Sequence, residues 1–289
     1  MENFVYDSGI RSETPPPLIS RKQDLIIKAK QLNDDHYWEY MREVFADDFE
    51  NLDRSRFRVW QSVLSVPLMV RSRFQYYFAT ALSAAVRDPI YAQALEQRMI
   101  GMTLNDFELL FRVVDDFPTT ANRIQNLSHL LLGEIYVEKL SQMDSIVELG
   151  GGVGDMADII HTLGFKGRYQ LYDFPELGAI QKWHHRQLGI ADKIEYISDY
   201  TKLEPADLVI ATWSLTEMPI DLRTKIEEQL KHSKRWLVAY SNKIFGMDNA
   251  SYMKQFAEKL TTAGSNVTFI DVPFMPWDGG TRYMFAKPQ

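Results

Sequence analysis

Apolar residues recur at helical spacing through the first half of the chain and in short continuous runs through the second. Tyr37, Met41, Val44 and Phe45 fall on one helical face, as do Phe57, Trp60, Val63 and Leu64. The stretches 72–87, 104–116 and 128–143 keep the same period, and Pro89 punctuates one junction. From Ser145 the pattern changes. Ile146-Val147-Glu148-Leu149 reads as a strand, followed by strand-like runs at 168–172, 193–197, 206–212, 235–240, 267–272 and 282–286. Helical segments at 155–163, 176–188, 219–232 and 249–263 separate most of the first six. Alternating strands and helices of this kind predict a mostly parallel sheet covered on both faces. Only Pro273 to Thr281 separates the last two strands, too little for a crossover helix, so they should pair as an antiparallel hairpin.

Glycine divides the chain at the same place. None lies between Gly9 and Gly101, and twelve of the fifteen fall from Gly150 onward. The expected organisation is therefore a flexible arm over 1–20 (with Pro15-Pro16-Pro17), an all-helical part over 21–143, and an α/β unit over 144–289. At 289 residues, 45% hydrophobic and 25% charged, the chain has ordinary globular composition. The absence of cysteine removes disulfide frameworks, thiolate nucleophiles and sulfur-ligated zinc, and fits a reducing compartment. A net charge of −7 argues against nucleic-acid binding through bulk positive charge. No apolar run approaches the roughly 20 residues of a membrane span. The N-terminus lacks the basic-then-apolar layout of a secretory signal, so a cytoplasmic protein without membrane partners is expected.

The segment from Val147 to Asp155 is the richest in candidate chemistry. It ends a strand, supplies Gly150, Gly151, Gly152 and Gly154, and opens a helix. A dinucleotide loop needs G-x-G-x-x-G, and Asp155 stands where its last glycine would be. A nicotinamide oxidoreductase fails on that spacing and on the terminal hairpin. Asp173 falls 19 residues beyond Gly154, at the tip of the second strand, where a carboxylate can accept two ribose hydroxyls. The lesser alternative, because Pro175 and Glu176 follow, is a helix cap. Ser214 and Glu217 have the spacing of a capping box, but Pro219 would then lie inside the helix. Helix initiation at Pro219 is the expected alternative, leaving Trp213 to Met218 as a loop on the sheet's carboxyl edge. Glu217 is then either a general base or an exposed carboxylate.

The E-x-G-x-G-x-G spacing from Glu148 resembles the first motif of class I S-adenosylmethionine-dependent methyltransferases. Together with YDFPELGAIQKW and ATWSLTEM, it makes the stretch 128–219 similar to the sugar O-methyltransferase group of that superfamily. The resemblance implies a Rossmann-like methyltransferase sheet, mostly parallel with its last strand antiparallel, preceded by an all-helical N-terminal domain. It implies S-adenosyl-L-methionine as cofactor and a sugar or glycosylated metabolite as acceptor. The glycine loop and Glu148 would face the methionine half, Asp173 and Phe174 the ribose, and Asp199 and Tyr200 the adenine. Thr212 and Trp213 would complete the cofactor site, with Ser214 beside the acceptor. No cluster of Asp ligands for a metal stands out.

A sugar hydroxyl needs a proton acceptor. Of the six histidines, His161 and His232 are expected at helix ends, and His184 and His185 on a charged surface. His36 and His129, in the helical part, are the alternatives to Glu217 as base. Asn242, after the fifth strand, and Trp277 with Asp278, in the last connection, are candidates for holding a sugar ring. A non-catalytic binding module, a methyltransferase of another small molecule and a homo-oligomeric state stay open.

Overall fold

A computed structural model describes residues 38, 42, 57, 71–96, 112–114, 117–244, 246–272 and 280–289, with backbone alone at 71–78, 112–114, 117, 118, 121 and 272. The arm over 1–20, most of the first two helical faces, His36, Trp277 and Asp278 lie outside the described residues.

Seven strands form one sheet: β1 (Ser145–Leu149), β2 (Arg168–Tyr172), β3 (Ile194–Ile197), β4 (Leu208–Thr212), β5 (Trp236–Ser241), β6 (Ser265–Val272) and β7 (Thr281–Pro288). Their order is β6-β7-β5-β4-β1-β2-β3. β1, β2, β3, β4 and β5 run parallel, while β7 runs antiparallel to both β5 and β6. This is the Rossmann-like sheet expected from the sequence, with the hairpin partner β7 inserted second from the edge. The strand order reverses between β1 and β4. In such sheets that reversal opens a crevice beyond the carboxyl ends of the strands.

Eight helices are used below: α1 (Arg71–Arg87), α2 (Pro89–Leu95), α3 (Ala121–Tyr136), α4 (Asp155–Thr162), α5 (Pro175–Gln187), α6 (Ser214–Glu217), α7 (Ile220–Gln229) and α8 (Asn249–Thr262). Alternation along the strands splits the core in two. Ile146, Leu171, Ile210 and Leu237 pack with Ile124, Leu127, Met156 and Ile160 of α3 and α4. Val147, Val209, Ala211 and Val238 pack on the opposite face with Ile226, Met253 and Phe256 of α7 and α8. Each fully buried aliphatic side chain contributes about 1.5–3 kcal/mol, so both faces hold the sheet.

Three local expectations change. The helix expected over 128–143 starts earlier, because Thr120 caps it by accepting the Arg123 amide at 3.2 Å. It ends at Tyr136, and only a short 3-10 turn, Leu140–Gln142, follows. The end of the helix expected over 104–116 is instead strand: Arg112–Val114 pairs antiparallel with Phe117–Pro118. Adjacent β-branched Val113 and Val114, then a proline without an amide donor, disfavour helix there. The N-terminal part is thus not all-helical.

Candidate functional site

The loop after β1 is built around left-handed backbone. Gly150, Gly152 and Gly154 have φ of +72°, +56° and +93°, which L-residues other than glycine adopt at a cost. Their surroundings differ. A Cβ on Gly150 would lie 2.3 Å from Ser214 Cβ, and one on Gly154 would lie 2.5 Å from His185 Nε2. A Cβ on Gly152 would meet no described atom within 4 Å. Gly150 and Gly154 are therefore crowded by the protein, whereas Gly152 faces open space. The loop is stitched by the Gly150 amide on Tyr172 O and the Gly154 amide on Gly151 O, both at 2.8 Å.

Asp173, at the tip of β2, is turned onto this loop. Its Oδ1 accepts the Phe174 amide at 2.9 Å and its Oδ2 accepts Gln181 Nε2 at 2.7 Å. Gln181 Nε2 also donates to Gly152 O at 3.0 Å, so one side chain from α5 ties carboxylate and loop together. The N-cap position of α5 belongs to Phe174, with Pro175 as first helical residue. The capping alternative for Asp173 is thereby removed. The residue as a whole is half-buried but its carboxyl group is enclosed, which pushes its pKa up to about 7 against the loop and Phe174 amides. Glu148, buried in β1, accepts Tyr169 Oη at 2.6 Å, and burial pushes it up to about 8. Asp155 points away from the loop, toward Asn122 Nδ2 at 3.0 Å and Arg123 Nη1 at 3.6 Å.

The tip of β4 departs from the expected loop. Trp213 has φ +65° and its amide reaches Ala239 O at 2.6 Å. A bulky residue at positive φ is a strained conformation, held here from β5. Ser214 Oγ donates to Leu149 O, linking this turn to the glycine loop. Ser214–Glu217 forms one helical turn, α6, rather than loop. It stops at Met218, whose φ of −78° and ψ of 154° are the extended geometry imposed before proline. Pro219 is the N-cap of α7 rather than its first residue. Buried Arg223 holds the turn from below. It donates from Nη2 to Thr216 O at 2.6 Å, from Nε to Met218 O at 2.7 Å and from Nη1 to Asn249 Oδ1 at 2.8 Å.

Two side chains from far upstream reach this edge. Trp38 Nε1 donates to Glu217 Oε2 at 2.8 Å. Arg42 donates from Nε and Nη2 to Glu176 at 2.8 and 2.9 Å, and its guanidinium lies 4.8 Å from the Phe174 ring centre. Thr212 is half-buried at the end of β4. Asp199 is exposed and caps the short helix Tyr200–Lys202 through Thr201, whose hydroxyl and amide hold its pKa down. Asn242 uses its backbone to join Gly280 and α8, at 3.1 Å from its amide to Gly280 O and 2.9 Å from the Asn249 amide to its carbonyl.

Among the described histidines, His184 and His185 depart from expectation, while His161 and His232 lie at helix ends as expected. His129 is fully buried on α3, with Nδ1 2.6 Å from Tyr283 Oη and its ring edge-on to Trp213 at 5.3 Å. It thus packs between Trp213, just beyond β4, and Tyr283 of β7. His184 and His185 are fully buried, not on the surface. His184 stacks on Phe57 at 4.8 Å, and His185 bonds Gly154 O and Tyr196 Oη, both at 2.8 Å. His161, half-buried at the end of α4, bonds Ala157 O at 2.8 Å, and His232 is exposed.

No family model and no curated protein matches the chain. Solved structures resemble it in part. One is PigF with SAH, at 13% identity over 55% of this chain and 60% of that one, with a TM-score of 0.40. Another is an O-methyltransferase family protein from Burkholderia thailandensis, at 11% identity over 58% and 60%, with a TM-score of 0.41. A third is magnesium protoporphyrin IX methyltransferase from Synechocystis PCC 6803 with bound SAM, at 16% identity over 50% and 69%, with a TM-score of 0.38. The chain thus spans less than two thirds of the first two.

Among the expected site residues, Glu148, Gly150, Gly151, Gly152, Gly154, Asp173, Phe174, Trp213, Ser214 and Glu217 converge on the tips of β1, β2 and β4. Gln181, Arg223, His185 and Trp38 were not among them. Only Gln181 had a sequence signal, as the closing residue of the D-x-P-E-x-x-x-x-Q spacing that starts at Asp173. Among the described residues, no group of three or more acids or histidines is arranged to hold a metal. No described helix is long and apolar enough to cross a membrane.

Proposed function

We propose that this protein is an S-adenosylmethionine-dependent O-methyltransferase that methylates a hydroxyl of a small molecule, with a sugar or sugar-bearing metabolite as acceptor class. The observation that carries the reading is the pairing of an open Gly152 with Asp173 at a strand-order reversal. The open space at Gly152, which a Cβ would enter, suits close approach by a ligand, and the loop lacks the G-x-G-x-x-G spacing of a dinucleotide site. Gly150 to Gly154 would hold the methionine end, and Asp173 would accept the ribose hydroxyls. When bound, the cofactor supplies a methyl group on a sulfonium, which leaves as the neutral thioether.

On the acceptor side, Glu217 is the group for taking the hydroxyl proton, oriented through the Trp38 indole. Trp38 and Trp213, both half-buried beside it, offer aromatic faces for a ring-shaped acceptor. The sugar class rests on the resemblance of YDFPELGAIQKW and ATWSLTEM. Calorimetric titration with S-adenosylmethionine and with NAD tests the cofactor: tight binding of the first and none of the second is expected. An acceptor screen that follows S-adenosylhomocysteine tests turnover. Cofactor binding without product from any hydroxylated acceptor would identify a binding module instead.

A further inference from the structure

Buried His185 is unused by the reading above, on which the following rests for its cofactor arm. Gly154 O has only lone pairs to offer, so His185 Nε2, at 2.8 Å, must carry the proton and donate. Nδ1 is then the acceptor, and Tyr196 Oη, also at 2.8 Å, donates to it. The relay runs Tyr196 to His185 to Gly154, from β3 through α5 to the last residue of the glycine loop. Both ring nitrogens are engaged, so the imidazole is fixed in orientation and tautomer. Burial pushes its pKa down to about 3, which keeps the ring neutral in this role. The Gly154 carbonyl receives the Asp158 amide only at 3.4 Å, so His185 is its shorter partner. The ring also occupies the space a Cβ on Gly154 would take, 2.5 Å from Nε2 and 2.8 Å from Cε1.

We infer that His185 is a positioning residue for the cofactor loop: through Gly154 it fixes the left-handed exit into α4 and thereby the conformation of the loop at Gly152. It touches no cofactor atom in this role. Glycine at 154 and histidine at 185 form one device, since the ring fits only where Cβ is missing.

The test uses the full chain with two substitutions and two readouts. His185→Leu removes the donor and keeps an apolar filling, while His185→Gln keeps an amide donor where Nε2 lies. Hydrogen exchange at the Gly154 amide, which bonds Gly151 O, reports the loop without any ligand. Calorimetry reports S-adenosylmethionine affinity. In His185→Leu, exchange at Gly154 should rise and affinity fall, each by about five- to tenfold, the worth of one hydrogen bond. His185→Gln should recover most of both. Wild-type behaviour of His185→Leu overturns the inference, as does equal damage from Leu and Gln. Should His185→Leu not fold, Tyr196→Phe removes the donor to Nδ1, and an unchanged Gly154 amide there overturns it as well. If the wild type shows no cofactor affinity while exchange responds as expected, the cofactor reading fails and the holding role of His185 stands.

Discussion

Gly152→Ala separates a loop shaped for a ligand from a loop that is merely tight. The substitution puts a Cβ where no described atom lies within 4 Å, so no clash arises in the protein alone. Its cost to the fold is the left-handed backbone at φ +56°, about 1–2 kcal/mol for an L-residue. At about 2–4 °C per kcal/mol for a domain of this size, the melting temperature should fall by about 2–8 °C. Cofactor binding should suffer further, because the methyl fills the space the ligand needs. Overpacking of this kind costs about 1–3 kcal/mol, or roughly five- to 150-fold in affinity. Gly154→Ala gives the opposite balance: its Cβ would press on an imidazole held at both nitrogens, 2.5 Å away, and the fold itself should be damaged. Thermal melts and calorimetry on both variants yield two ratios of binding loss to stability loss. The reasoning is refuted if Gly152→Ala binds S-adenosylmethionine like the wild type, or if the two variants lose stability equally.

Glu217→Gln should lower kcat by about 10²–10⁴-fold with cofactor affinity unchanged, measured as S-adenosylhomocysteine formed per enzyme. Near-full turnover would place the base elsewhere. Asp173, whose pKa is raised from its ordinary value to about 7, contributes stability that is fully present below about pH 4 and lost as pH rises through about 7. Asp173→Asn, which resembles the protonated form, should therefore gain melting temperature relative to the wild-type apoprotein between pH 5 and 8, while losing cofactor affinity. Arg223→Met leaves the carbonyls of Thr216 and Met218 without their buried donor and should cost about 2–5 kcal/mol in chemical denaturation, with activity falling alongside.

The sheet was legible because its signals are local. Ile146 and Val147 lie on opposite faces yet both are apolar, the mark of a strand covered twice. The short 273–281 connection forced an antiparallel β7, and the glycine spacing located the loop at the strand-order reversal. Expectations failed where partners are distant in sequence. His184 and His185 sit in a charged stretch and read as surface, but His184 stacks on Phe57 and His185 bonds Gly154 and Tyr196, none of which the segment announces. Arg223 reads as one more charge on an exposed helix, yet its guanidinium is enclosed by two carbonyls and Asn249. At Trp213 an indole takes positive φ because β5 and the glycine loop together hold the turn, which no propensity foretells.

The N-terminal contacts connect the two sides of this edge. β1 lies between β4 and β2, so the glycine loop lies between Glu217 beyond one strand and Glu176 beyond the other. Strands two apart are separated by about 10 Å. Trp38 and Arg42 stand four positions apart in the sequence, and both carry long side chains. That spacing accounts for one engaging Glu217 and the other Glu176. Both anchors are carboxylates: Glu217 lies beyond β4, and Glu176 lies beyond β2 with the neighbouring Phe174 and Asp173. The two ends are thus engaged by upstream side chains as well as joined beneath by the sheet. A substitution at Trp38 therefore acts first on the orientation of Glu217. One at Arg42 acts first on the start of α5, from which Gln181 reaches Asp173 and Gly152.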